Sequence, residues 1–144
     1  MTRSASRLAS GAVFLAMIFS PSFAAAADAP RLSPAEASVI AGEIAKLKYP
    51  QERSLAAQWS DAKKVAEFIC RPLATAVLKR DSNADRVFLG TDDPDTLHLL
   101  SERELRGSGQ YRSGDDWRTF TFSCALDPRN GTATAFRTNP TPAE

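Results

Sequence analysis

The only histidine of the chain, His98, is the residue from which enzymatic chemistry would have to start. Asp92, Asp93, Asp95 and Ser101 lie near it in sequence, and serine, histidine and aspartate are the side chains of a nucleophilic triad. Proximity in sequence does not make a triad, and the chain has no G-x-S-x-G motif. The sequence therefore favours an ordinary histidine and predicts no catalytic residue, with a small hydrolase centred on His98 as an alternative.

Two short motifs offer groups for a charged ligand. The "DDPD" at 92–95 has carboxylates for calcium but lacks the spacing and glutamate of an EF-hand loop, so a solvated turn is favoured. The "GSG" at 107–109 is not followed by Lys and Ser or Thr, as a phosphate loop would be. One histidine and two distant cysteines are a poor metal-binding set. We expect neither a metal nor any other cofactor.

The first 26 residues have the order of a secretory signal peptide. Two arginines precede the uncharged apolar run "LASGAVFLAMIFS", and small residues follow in "PSFAAAADA". We predict cleavage after Ala26, with Ala24 as the second choice, so that residues 1–26 are removed and 27–144 form a single domain. The expected location is the periplasm or the exterior of the cell. A retained N-terminal anchor helix is the alternative interpretation.

The charge of the exported chain limits the classes of partner. Without Arg3 and Arg7, the chain of 18 basic and 17 acidic residues has a net charge of −1. This balance favours neither nucleic acid nor an anionic membrane as a partner. Because no second apolar run approaches spanning length, we expect no stable membrane insertion after cleavage.

Two cysteines remain after cleavage, Cys70 and Cys124. In an oxidising compartment an isolated pair usually forms a disulfide, and the chain has no C-x-x-C motif that would favour a redox or metal pair. A bridge across this separation would remove about 4 kcal/mol of chain entropy from the unfolded state. We predict a structural disulfide.

The first helix is predicted over about residues 33–48. Ser33 is suited to cap it, Pro34 to occupy its first position, and Glu36 to complete a capping box. Apolar residues follow at three- and four-residue spacing. Pro50 is expected to end the helix because it cannot continue the hydrogen-bond ladder.

A second helix is predicted over about residues 54–79 from its apolar stripe. Ser60 or Asp61 is expected to cap its main part. Pro72 lies inside this pattern, so we expect a kink or a break beside Cys70.

The hydrophobic period changes from helical to two after residue 85. Strands are predicted at about 86–90, 103–112, 117–126 and 132–137, with turns at "SGDD" and "DPRNG". The segment "TLHLL" is ambiguous, and "TNPTPAE" at the C-terminus is expected to be loose. Helices followed by strands indicate an α+β fold, in which two N-terminal helices pack on one face of a three- to four-stranded antiparallel meander.

The pattern of residues 103–126 also predicts how its two strands pair. If 113–116 form the loop, one face carries the cross-strand pairs Gly109–Phe120, Gly107–Phe122 and Leu105–Cys124. We expect the helices to cover this apolar face and each phenyl ring to fold over the glycine opposite. A ligand that approaches the bare glycine backbone is the alternative interpretation. The last strand remains open, with either Phe136 or Ala133 and Ala135 pointing inward.

The opposite face of the same strands is polar and carries one large aromatic side chain. Tryptophan and arginine are enriched where partners bind. The predicted binding face consists of Arg106, Gln110, Arg112, Trp117, Thr119 and Thr121. Alternatively, Trp117 shields the hairpin end and the arginines only keep the sheet soluble.

The C-terminal half carries the pattern "GSGQYRSGDDWRTFTFSCALDPRNGTATAF", preceded by a helix that ends in "CRPLA". Over roughly residues 65–136, this pattern resembles small exported bacterial domains of unknown function. The residues that carry the resemblance are Cys70, Gly107, Gly109, Trp117, Phe120, Cys124, Gly131 and Phe136. It implies an exported, disulfide-linked module without an assigned reaction and provides no catalytic residue.

These observations lead to three functional hypotheses. The favoured one is a non-enzymatic binding or accessory module of the bacterial cell envelope, acting through the outer sheet face on a protein or an envelope glycan. The second is an inhibitor of a periplasmic hydrolase that uses the 91–95 loop and the 113–116 hairpin tip. The third is the small hydrolase centred on His98.

Overall fold

The computed structural model describes residues 31–91 and 93–140, so the predicted signal peptide at 1–26 lies outside the described residues. Helices are followed by an antiparallel sheet of five strands, which makes the fold mixed α+β. Within the described ranges, no helix has both the length and the apolar character needed to cross a membrane.

The N-terminal half contains more helices than the two predicted. They are α1 (Pro34–Lys46), α2 (Pro50–Ala57), α3 (Asp61–Val65), a π-helical turn (Ala66–Cys70) and α4 (Arg71–Ser82). Pro50 does not merely end the first helix: it begins α2, because a proline at the first helical position lacks only an N–H that would be unpaired anyway. Ser60 caps α3 and accepts a hydrogen bond from the Lys63 backbone.

The irregularity expected beside Cys70 takes the form of a π-helical turn that ends at Cys70, and the chain continues as a helix past Pro72. A proline inside a helix removes one hydrogen bond and crowds the carbonyl four residues before it. Here the π-helical turn directly precedes the proline, and the Arg71 N–H donates to the Ala66 carbonyl five residues back. The wider turn takes up the misfit, so one continuous helical run from residue 61 to 82 carries Cys70 at its centre.

The sheet has five strands rather than three or four. They are β1 (Arg86–Leu89), β2 (Leu97–Ser101), β3 (Glu104–Ser113), β4 (Asp116–Asp127) and β5 (Thr132–Pro140). β1 and β2 both pair with β3, and β4 and β5 follow in order. A 3-10 helix at Pro94–Thr96 separates β1 from β2, so the helices are not all N-terminal. β2 contains the ambiguous "LHLL", and β5 includes the first residues of the predicted loose tail.

The predicted register of β3 and β4 is confirmed. Gly109 pairs with Phe120, Gly107 with Phe122 and Leu105 with Cys124. The loop itself is shorter than predicted, because Ser113 also pairs with Asp116 and leaves a two-residue turn that starts with Gly114 at φ +63°. Adding one pair at the loop end leaves every other pair in place.

The predicted disulfide is confirmed. It joins Cys70 of the helical run to Cys124 of β4, and both residues are fully buried. Phe120, Phe122 and Phe136 belong to the same buried cluster, and the Phe122 and Phe136 rings stack with 5.2 Å between centroids. Phe136 therefore points inward, and the helices cover this face of the sheet, which we call the inner face.

The two glycines of β3 are covered by different groups. A Cβ atom at Gly109 would lie 2.7 Å from the Phe120 ring and 2.6 Å from the Phe88 carbonyl oxygen, so this phenyl ring does cover the glycine opposite. Gly107 is approached most closely by other groups. The atoms nearest to a Cβ at this position belong to the Thr96 carbonyl and to Leu97, whose Cδ2 would lie 3.0 Å away. The segment between β1 and β2 therefore needs the glycine at 107.

The start of α1 is locked to the β4–β5 turn. The capping box of Ser33 and Glu36 is present, and the Ser33 hydroxyl also donates to the Pro128 carbonyl at 2.7 Å. Gly131, at φ +66°, lies against the Ala35 carbonyl, so a side chain at this position would clash with α1. This contact attaches the start of α1 to the sheet.

Glu36 is a fully buried carboxylate in this contact. Its Oε2 accepts from the Ser33 backbone at 2.7 Å, whereas Oε1 has no hydrogen-bond partner among the described residues. Burial raises the pKa of Glu36 by more than the hydrogen bonds from Ser33 lower it, and the charge of Glu102 adds to the rise.

The close packing at the β3 glycines predicts opposite effects of alanine at different sites. We expect Gly107→Ala and Gly109→Ala each to lower the free energy of unfolding by about 1–3 kcal/mol, because the new Cβ meets backbone atoms. The control is Gly42→Ala in α1, where nothing lies within 4 Å, and we expect a gain of about 0.5–1 kcal/mol. Urea unfolding measures all three. Equal changes in the free energy of unfolding for Gly42→Ala and Gly109→Ala would contradict the close packing at Gly109.

The buried Glu36 predicts a pH dependence of stability. Its folded pKa lies above the unfolded value, so its favourable contribution is complete below the unfolded pKa and is lost as pH rises through the folded pKa. Glu36→Gln keeps the capping box and removes the titration. Urea unfolding between pH 4 and pH 8 should show that the native protein loses stability relative to the variant as pH rises. Parallel pH curves would show that Glu36 is not desolvated.

Candidate functional site

The candidate site is the sheet face that points away from the helices, which we call the outer face. Even-numbered residues of β3 and odd-numbered residues of β4 lie on it, because side chains alternate along each strand. The structure brings together all the residues predicted for a binding face, namely Arg106, Gln110, Arg112, Trp117, Thr119 and Thr121. Of these, Arg112 is half-buried and the others are exposed.

Phe88 also lies on this face and was not among the residues predicted for it. Its ring is 42% exposed and stacks on the ring of Trp117, which is 49% exposed, with centroids 5.9 Å apart and planes at 23°. We call Phe88 and Trp117 the aromatic pair. The available signal was the strand alternation of β1, in which Val87 and Leu89 point into the core and the residue between them points out.

Arg112 is held in place beside the aromatic pair. Its Nε donates to the Asp85 carboxylate at 2.8 Å, and its guanidinium carbon lies 5.9 Å from the centre of the Trp117 ring. An exposed cation–π contact contributes about 0.5–1 kcal/mol, and an exposed ion pair contributes little. These contacts fix the position of the guanidinium more than they stabilise the fold.

The other end of the outer face is basic and slightly concave. His98, Arg106, Ser123 and Arg137 lie side by side across four strands. A depression of about 320 Å³ lies next to this row and is bounded by Ser123, Arg137 and Glu104, among others. The Glu104 carboxylate accepts from Arg106 Nε at 2.7 Å.

The residues considered for hydrolysis do not assemble around His98. The His98 side chain is exposed on the outer face, and no hydrogen bond to it forms within residues 31–91 and 93–140. Ser101 accepts from the Arg103 backbone, and Asp93 accepts from the Asp95 backbone in the 3-10 turn. Asp92 lies outside the described residues.

The two loops considered for an inhibitor do not form one continuous surface. The segment before β2 lies on Gly107, and the hairpin tip begins after Ser113. Six strand residues separate these points, which is about 20 Å along β3. The hairpin tip lies next to Arg112 and Trp117 instead.

Two further concavities are formed by side chains that are engaged with each other. One, of about 230 Å³, adjoins Trp59, which stacks on Phe68 with Lys63 over its ring. The other, of about 470 Å³ beside α1 and α4, contains Glu67, which is paired with Lys63 and Arg71. In the part of the chain that the structure describes, no group of three His, Cys, Asp or Glu residues gathers as a metal site would require.

Comparison of the chain with protein-family models, curated proteins and solved structures gives no match. The resemblance of the C-terminal pattern to exported bacterial domains therefore stays an expectation. The assignment of the outer face as the candidate site therefore rests on the geometry described above.

Proposed function

We propose that the protein is an exported, non-enzymatic binding module of the cell envelope that acts through the outer face of its sheet. The observation that carries the proposal is the aromatic pair, two stacked rings that remain almost half exposed on a mostly polar surface. Large exposed apolar groups rimmed by polar residues are typical of interaction sites.

The arrangement around the aromatic pair suits recognition. Trp and Arg are the residue types that dominate binding energies, and here Trp117 and Arg112 are directly opposite each other on paired strands. Both rings project from strands, and the Asp85 carboxylate restrains the arginine. A surface that is ordered before binding loses little conformational entropy when a partner arrives.

The disulfide supports export. Disulfides persist in oxidising compartments and are rare in the cytosol of most cells, and this one is fully buried at the centre of the fold. Together with the predicted signal peptide, it favours the periplasm or the cell exterior as the place where the outer face meets its partner.

The proposal predicts that binding and stability separate on mutation. The double variant Trp117→Ala, Arg112→Ala should lose the partner retained by the immobilised 27–144 domain from an envelope extract of the source cells. Its melting temperature should shift by only a few degrees, because neither side chain belongs to the core. Retained material is compared by quantitative mass spectrometry.

The matched control is Tyr49→Ala, Leu55→Ala, which removes two comparably exposed apolar side chains at α2. This variant should retain the partner at the native level. Equal retention by both variants would refute an outer-face site, and a large fall in melting temperature for the Trp117 variant would mean that the outer face is structural.

A further inference from the structure

We infer that the outer face binds an extended acidic glycan, a sugar chain that carries carboxylates. The inference rests on the proposed function and names the ligand class of the same face. It follows from how charge, aromatic rings and hydroxyl groups are distributed along the strands.

Positive charge is concentrated on the outer face although the exported chain as a whole has a net charge of −1. Arg86, Arg106, Arg112 and Arg137 all lie on this face by strand register. Two of them have acidic partners, since Arg112 is paired with Asp85 and Arg106 with Glu104. Within residues 31–91 and 93–140, Arg86 and Arg137 form no ion pair. The face is therefore complementary to an anionic ligand.

Arg86 and Arg112 place two positive charges at paired positions of the sheet. Arg86 lies directly opposite Arg112 in the β1–β3 register. Like charges at directly opposed sheet positions are destabilising. Asp85 already balances the charge of Arg112, so the charge of Arg86 is the one left for a carboxylate of the ligand. Trp117, the next residue in the same row, would contact the adjoining sugar ring.

The two basic ends of the outer face are too far apart for one small anion to contact both. Arg112 and Arg106 are six positions apart on β3, which corresponds to about 20 Å. The intervening outer-face residues are Ser108 and Gln110 on β3, with Thr121 and Thr119 opposite them. These hydroxyl and amide groups are donors and acceptors suited to the hydroxyls of a chain that runs along the strands.

This middle section distinguishes a glycan from an acidic protein. The core of a protein interface is more apolar than its rim. On the outer face the apolar rings lie at one end, the depression beside Arg137 lies at the other, and polar side chains fill the centre. Flat aromatic rings, central hydroxyls and two basic ends match a sugar polymer with repeated carboxylates.

The test measures binding of the 27–144 domain to three probes by isothermal titration calorimetry: sodium polygalacturonate, neutral dextran and polyglutamate. Polygalacturonate should bind at least about tenfold more tightly than the other two, and added salt should weaken it because the attraction is electrostatic. The variant Arg86→Gln, Arg137→Gln should weaken this binding by about tenfold or more. The control, Lys79→Gln, Arg129→Gln, removes two exposed cations elsewhere and should bind as the native protein does.

Four results would overturn the inference. Equal or tighter binding of polyglutamate would indicate an acidic protein partner. Equal weakening in both arginine and control variants would indicate unspecific charge attraction. Absence of binding to every probe, while the Trp117→Ala, Arg112→Ala variant still loses its partner from the envelope extract, would refute the acidic glycan and leave the proposed function intact. If no probe binds and the Trp117→Ala, Arg112→Ala variant still retains its partner, both the acidic glycan and the proposed function are refuted.

Discussion

The bond between Cys70 and Cys124 is the constraint on which the rest of the structure depends. It ties the middle of the long helical run to the C-terminal half of β4, and both cysteines belong to the same buried cluster as the core phenyl rings. The bridge removes about 4 kcal/mol of entropy from the unfolded chain in the loop-closure model, which is a large share of the stability of a domain this size. The π-helical turn before Pro72 ends at Cys70 and lets the helix continue through the proline, so the disulfide joins a continuous helical run to the sheet.

Fixing the helices to one face determines what the other face can do. A strand alternates its side chains, so every residue next to a buried one in β3 or β4 must point away from the helices. The inner face supplies the buried core, and the outer face is left exposed. This division explains how the aromatic pair and the opposed Arg86 and Arg112 are tolerated: neither belongs to the packing that holds the domain together.

The sequence predicts the parts of this fold that follow from the alternation of side chains along a strand. The β3–β4 register follows from alternation alone and is unaffected by the exact loop length, so Gly109 and Phe120 pair as expected. Features that depend on non-local contacts are not predictable in this way. Phe88 joins the site only because β1 pairs with the far end of β3, and Gly107 is covered by a segment whose path no local pattern indicates. A disturbance of the helix beside Pro72 is predictable from the proline ring, but its form as a π-helical turn is not.

The central claim is that one sheet face is sealed by the disulfide-linked helices and the other is open. Hydroxyl-radical footprinting of the oxidised 27–144 domain, read by mass spectrometry, tests it at single rings. We expect rapid oxidation of Phe88 and Trp117 and strong protection of Phe120 and Phe122, which are 2% and 4% exposed. Protection of Trp117, or oxidation of Phe120 as fast as that of Phe88, would contradict the assignment of the two faces.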